Sequence, residues 1–178
     1  DDKKKKKNSN DYDLLLTQKG IPFTVKESYK AMRTNVMFSL SVSEKKVIVV
    51  SSANPGEGKS TTAANLAITF SQMEHKVLLI DADMRKPVQH KIFGLKNKKG
   101  LSSIIGKMNK FDECVNKNVV KSLDILTSGT KPANPSELLA SEQAAELLNT
   151  LSEAYDYIIV DTPPVNIVSD AMGLSNSI

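Results

Sequence analysis

Four short apolar runs punctuate the chain: KVIVVSS (46–52), KVLLIDAD (76–83), SLDILTSG (122–129) and YDYIIVDTPP (155–164). Their apolar residues are consecutive rather than alternating, which predicts strands buried on both faces, as in a parallel sheet. Between them the apolar period lengthens to that of a helix. Over 25–40, Tyr29, Met32, Val36 and Leu40 fall on one stripe, with Met37 beside them. Over 60–73 the stripe is Leu66, Phe70 and Met73, and Ala63, Ala64 and Ala67 would let that helix lie close to a sheet. Residues 134–155 read as one helix, with Asn134 as cap, Pro135 in the first turn and Glu137 completing a capping-box-like arrangement. The stretch 87–121 is less regular and carries short helical candidates at 88–93, 101–105 and 111–118. Alternating strands and helices imply right-handed βαβ units. The expected class is α/β, a doubly wound, mostly parallel sheet flanked by helices, with no internal repeat.

Composition changes this picture little. A chain of 178 residues with 40% hydrophobic content is enough for one domain with a core. No apolar run approaches the ~20 residues of a membrane-spanning helix, and no secretory leader pattern is visible. Cys114 is the single cysteine, which forbids an internal disulfide and fits a reducing cytoplasm. The net charge of +4 sits largely in the lysine run 3–7. That run reads as part of a flexible basic arm, 1–25, ahead of a domain at 26–178. Attraction of the arm to an anionic membrane or a nucleic acid is the sharper alternative.

In such a sheet, ligands sit beyond the carboxyl ends of the strands, and three of the four runs end in groups that could do chemistry. The first enters Ala53, Asn54, Pro55, Gly56, Glu57, Gly58, Lys59, Ser60 and Thr61. Gly56 and Gly58 would let backbone N–H groups turn toward a phosphate, and the following helix start adds partial positive charge. Lys59 would reach the outer phosphates and the Ser60 hydroxyl a magnesium ion. Ala53 stands where such loops usually begin with glycine, a position that mainly closes the turn. The second run ends in Asp81 and Asp83, which as strand residues two apart would point together. They suit metal binding and the positioning or deprotonation of a nucleophile. Asp161 ends the fourth run and would hold magnesium directly or through water. Taken singly, each feature has a bland reading: a glycine-rich turn, or solvated strand-end aspartates. Their convergence argues against it.

The set PGEGKSTTAANLA, LLIDADMRKP, LTSGTKPANPSELL and YDYIIVDTPPVNIVSDA resembles the bacterial tyrosine kinases of capsule and exopolysaccharide production, P-loop proteins, from about Glu27 onward. By that resemblance Lys59 and Ser60 belong to the Walker A motif, Asp81 and Asp83 to Walker A′ and Asp161 to Walker B. It implies autophosphorylating transfer of the ATP γ-phosphoryl group to protein tyrosines, including those of its own family, with Mg²⁺. Lys59, Asp81 and Asp83 would be catalytic, Asp81 as the base. Ser60, Asp83 and Asp161 would serve the metal. Partition-type ATPases share the fold but carry an extra lysine five residues before the main one, where this chain has Asn54. The family's ring-forming E-x-x-R-x-x-R motif matches Glu27, Lys30 and Arg33, with lysine in place of the first arginine. An ordinary helix pair, Glu27–Lys30, is the bland reading there.

The resemblance further implies a transmembrane activator of the polysaccharide co-polymerase type, a homo-oligomer, no nucleic-acid partner, and a cytoplasmic position at the inner membrane face. The family's C-terminal sheet extension and tyrosine cluster have no counterpart among Tyr12, Tyr29, Tyr155 and Tyr157. Two rivals stand beside the kinase: an ATP-hydrolysing assembly switch, and a catalytically idle regulatory module.

Overall fold

A computed structural model of the protein describes residues 15–17, 19–43, 46–52 and 58–164. Its five strands are β1 (Val47–Val50), β2 (Val77–Asp81), β3 (Asn116–Val120), β4 (Leu123–Leu126) and β5 (Tyr157–Asp161), in the spatial order β1-β5-β2-β4-β3. The four strands expected from the apolar runs pair in parallel, and β3 is antiparallel to β4. Every residue of β2 and β4 is buried, whereas β1, at the end of the order, is half-buried throughout.

Alternate strand residues face two separate cores. Leu78, Ile80, Leu126, Ile158 and Val160 face α4 (Leu101–Ile105), α6 (Pro135–Leu139) and α7 (Glu142–Ala154). Val77, Leu79, Leu123, Ile125 and Ile159 face α2 (Lys59–Ser71), which also meets α1 (Phe23–Ser43). In α2, Ala63, Ala64 and Ala67 are fully buried, so their small side chains set the close approach to the sheet as expected. The stripe stops at Phe70; Met73 lies beyond the helix end and is 43% exposed. In α1, Val36 and Met37 pack, but Met32 is 38% exposed. The neighbouring Arg33 instead reaches α2, its Nη1 donating to the Thr69 carbonyl at 2.7 Å.

Other expectations change as well. The single helix over 134–155 is two, α6 and α7. Ser141 separates them, its hydroxyl accepting the Ala144 N–H at 3.2 Å and donating to the Leu138 carbonyl at 2.6 Å. Asn134 makes no side-chain cap; its Nδ2 donates to Glu137 Oε2 at 2.9 Å. The helix over 111–118 is short: α5 (Phe111–Cys114) gives way to β3, which turns back into β4 through Ser122 at φ 65°. At the other end, Leu15 and Ile21 are buried and the Leu16 N–H donates to Asn65 Oδ1 at 2.9 Å, so packing on α2 begins ahead of residue 26. The lysine run 3–7 and Tyr12 lie outside the described residues. Among the described residues no helix is long and apolar enough to cross a membrane.

Candidate functional site

The carboxyl ends of β1, β5 and β2 lie side by side, with Val50, Asp161 and Asp81 in register across the three strands. Past the strand ends the pairing continues: the Ala82 N–H donates to the Asp161 carbonyl at 2.8 Å, and both the N–H and hydroxyl of Thr162 donate to the Val50 carbonyl. The backbone at this edge is therefore fixed where the acidic side chains emerge.

Asp81 is fully buried. Its Oδ2 accepts the backbone N–H groups of Val88 and Gln89, each at 3.0 Å, and so anchors the start of α3 (Gln89–Ile92). Its Oδ1 accepts the Asp83 N–H at 3.1 Å. Three acceptor positions are used, and a carboxylate offers about four. Burial, and then the charge of the adjacent Asp161, raise this carboxyl to about 7 against the three backbone donors. Asp83 lies beyond the end of β2, where a turn closed by its own N–H on Asp81 Oδ1, not strand pleating, sets its place. Burial also raises Asp83, opposed by the Lys86 N–H at 3.1 Å and by Lys59.

Lys59 opens α2, and the residue before it, Gly58, has φ 69°, with nothing among the described residues within 4 Å of where a Cβ would stand. Glycine is needed there for the left-handed backbone rather than for room. The Lys59 ammonium contacts Asp161 Oδ1 and lies 4.0 Å from Asp83 Oδ2, with all three side chains largely buried. Asp161 Oδ2 accepts from Gln89 Nε2 at 2.9 Å, and the same nitrogen donates to the Ser60 carbonyl at 2.8 Å. Ser60 and the buried Thr61 follow Lys59 in the first turn of α2. Ala53, Asn54, Pro55, Gly56 and Glu57 lie outside the described residues.

Gln89 and Thr162 are the members of this site that sequence reasoning missed. Gln89 sits in a short irregular helix with no motif of its own. The only signal available was its place eight residues after Asp81. Of the expected assembly residues, Glu27 and Lys30 form an exposed 3.3 Å ion pair on α1, while Arg33 is folded against α2.

Among the described residues no three carboxylate, imidazole or thiol groups form a ready-made metal cage. Mg²⁺ keeps much of its water and is held by one or two carboxylates plus substrate phosphates. The donors are hard oxygens: the Ser60 hydroxyl, Asp83 and Asp161. Asp83 and Asp161 share one lysine, Asp81 adds a third carboxyl beside Asp161, and among the described residues the buried Gln89 Oε1 has no hydrogen-bond donor. Added positive charge and ordered water would relieve both. The residues therefore fit a phosphate-bound magnesium ion and a proton acceptor in the same cluster.

A family model described as an AAA domain matches residues 45–178. The tyrosine-protein kinase YwqD of Bacillus subtilis (strain 168) is 49% identical over 150 residues, covering 84% of this chain and 63% of its own length. CapB of Staphylococcus aureus is 43% identical over 148 residues, covering 83% of this chain and 65% of its own. The chain thus spans somewhat under two thirds of these relatives. The crystal structure of the chimerical protein CapA2B2 superposes with a TM-score of 0.85 at 41% identity, covering 92% of this chain and 72% of that one.

Proposed function

The chain belongs to the bacterial tyrosine kinases, and from that membership we propose that it transfers the γ-phosphoryl group of ATP to protein tyrosine hydroxyls. One observation carries the reading: Asp81 and Asp161 stand in register on adjacent strands, Lys59 lies against Asp161, and Asp81 is poised near neutrality. In the transfer, the tyrosine oxygen forms a bond to the γ-phosphorus and the bond from that phosphorus to the β–γ bridging oxygen breaks, releasing ADP. The phenolic proton passes to Asp81, whose remaining acceptor position and raised affinity for a proton match the task. Lys59 leaves Asp161 to neutralise the phosphates, and Gln89 holds Asp161 in place when it does. Magnesium, held through Ser60, Asp83 and Asp161, would neutralise charge developing on the transferred group.

The activity would serve capsule or exopolysaccharide synthesis, with a transmembrane co-polymerase-type activator bringing the chain to the inner membrane face. The tyrosines would include those of its own family, met in a homo-oligomer to which the exposed Glu27 and Lys30 would contribute, and Arg33 only on leaving the Thr69 carbonyl. Asn54, in place of the partition ATPases' extra lysine, disfavours the hydrolytic switch. The test is labelling of a tyrosine-bearing substrate with radioactive ATP and activator. Asp81→Ala is expected to lower the rate by about 10²- to 10⁴-fold, and Lys59→Met to abolish labelling. Undiminished phosphotyrosine in both variants ends the proposal.

A further inference from the structure

Between Asp83 and Asp112 the sequence contains eight lysines and arginines and no aspartate or glutamate. The fold determines where those charges go. The stretch leaves the site at Lys86, whose N–H is bonded to Asp83 Oδ1. Ile92, Phe93 and Leu95 then pack in the α2-side core, whereas Leu101 and Ile105 pack in the opposite one. To pass from one face to the other, residues 95–101 must cross the carboxyl ends of the strands, the same edge that carries Asp81.

The crossing is held rigidly. Asn97 Oδ1 accepts the Gly129 N–H at 2.7 Å, and the Leu101 N–H donates to the Thr127 carbonyl at 2.9 Å. The Thr130 hydroxyl donates to the Lys98 carbonyl at 2.8 Å. At Gly100 a Cβ would stand 2.2 Å from the Thr127 carbonyl oxygen, so backbone meets backbone there. Lys96, Lys98 and Lys99 are therefore carried on a fixed ribbon past the end of β4, the strand beside β2, with the Lys99 charge also reaching Glu113 of α5. All three are exposed, and none is ion-paired to a carboxylate among the described residues. Lys86, also exposed, continues the same charge toward Asp83.

We infer that Lys96, Lys98 and Lys99 form a docking platform for an acidic, tyrosine-bearing protein segment. This rests on the kinase reading and names its substrate class. A tyrosine delivered to Asp81 must enter across this edge. Neighbouring strands are about 4.8 Å apart and an extended chain advances about 3.3 Å per residue. Acidic residues roughly two to five positions from the tyrosine would then lie over the lysines. An anionic membrane offers the same cations a partner, but their place on the strand edge that also carries Asp81 favours the substrate.

The test compares two fluorescent peptides, one with its single tyrosine flanked by glutamates and one with glutamines in their place. Binding is measured by anisotropy, with a non-hydrolysable ATP analogue and Mg²⁺, at low and high salt. The glutamate peptide is expected to bind about tenfold more tightly at low salt, and the Lys96→Gln, Lys98→Gln, Lys99→Gln triple variant to lose that preference while keeping wild-type affinity for the ATP analogue. Equal binding of the two peptides, or a triple variant that keeps the preference, overturns the inference. So does a variant whose only loss is binding to phosphatidylglycerol vesicles. The kinase reading fails differently: the glutamate peptide binds through the lysines, yet its tyrosine is never phosphorylated with ATP and activator. Equal phosphorylation of both peptides at limiting concentration spares the kinase and removes the platform.

Discussion

Gln89 ties three motifs together with one residue. Its backbone N–H holds Asp81, and its Nε2 holds both Asp161 and the carbonyl of Ser60. Replacing it by leucine leaves the Asp161 carboxylate one donor short in a buried setting, a change worth about 1–3 kcal/mol of stability. A structural role alone would stop there. The positioning role is tested by Gln89→Glu, which sets a further carboxylate beside Asp161 and near Asp81. It should move the acid limb of the pH–rate profile upward and lower kcat more than it raises KM for ATP; an unmoved profile refutes it.

Asp81 makes its own pH prediction, free of nucleotide and metal. Its folded value of about 7 lies above the ordinary 3.8, so the native state holds a proton that the unfolded chain has released. The stabilising contribution is fully present below about 3.8 and is lost as pH rises through about 7. Urea denaturation should show wild type losing more stability between pH 5 and pH 8 than Asp81→Asn does; parallel losses contradict the shift. At this scale the aspartates and Lys59 were legible because motif and strand-end position coincide. Gln89 was not, because its importance arises only when three chain segments meet.

Among the elements, the clasp between the start of α4 and the end of β4 makes the sharpest demand on sequence. Gly100 has φ −179°, an extended backbone open to any residue, so the constraint there is space. A methyl group would stand 2.2 Å from the Thr127 carbonyl oxygen, a backbone atom that cannot rotate away. Gly100→Ala should therefore lower stability by about 1–3 kcal/mol or more, as overpacking does, seen as a reduced urea midpoint with an unchanged slope. Ser141→Ala removes the α7 cap and should cost about 1 kcal/mol. A Gly100→Ala loss no larger than that of Ser141→Ala would show that the clasp is slack. The four parallel strands were legible because burial on both faces writes itself as an apolar run. Antiparallel β3 was not: NKNVV is half polar, and its pairing depends on the turn at Ser122 rather than on its own pattern. The break between α6 and α7 was equally hidden, since a serine inside a helical period becomes a cap only when tertiary packing redirects the chain.

Across the whole molecule, stability and nucleotide binding meet at Lys59. The sheet's two cores are joined at an edge where buried carboxylates need countercharge, and in this structure Lys59 supplies it to Asp161. Breaking a buried pair from one side leaves a charge uncompensated, at about 3–5 kcal/mol. Lys59→Met should accordingly melt well below wild type even without ligand, which alone would not distinguish a structural ion pair from a phosphate site. The double variant Lys59→Met, Asp161→Asn separates them. Removing the orphaned charge should restore most of the ligand-free stability. It should not restore the response to ligand: ATP with Mg²⁺ at 100 times its Kd stabilises a folded protein by about 2.7 kcal/mol, or roughly 5–10 °C in Tm for a domain this size. Wild type should show that rise and the double variant none. A double variant that regains its ligand-free Tm and still rises with ATP and Mg²⁺ would mean that Lys59 serves only the fold. The phosphate-binding role would then have to be sought elsewhere on the same edge.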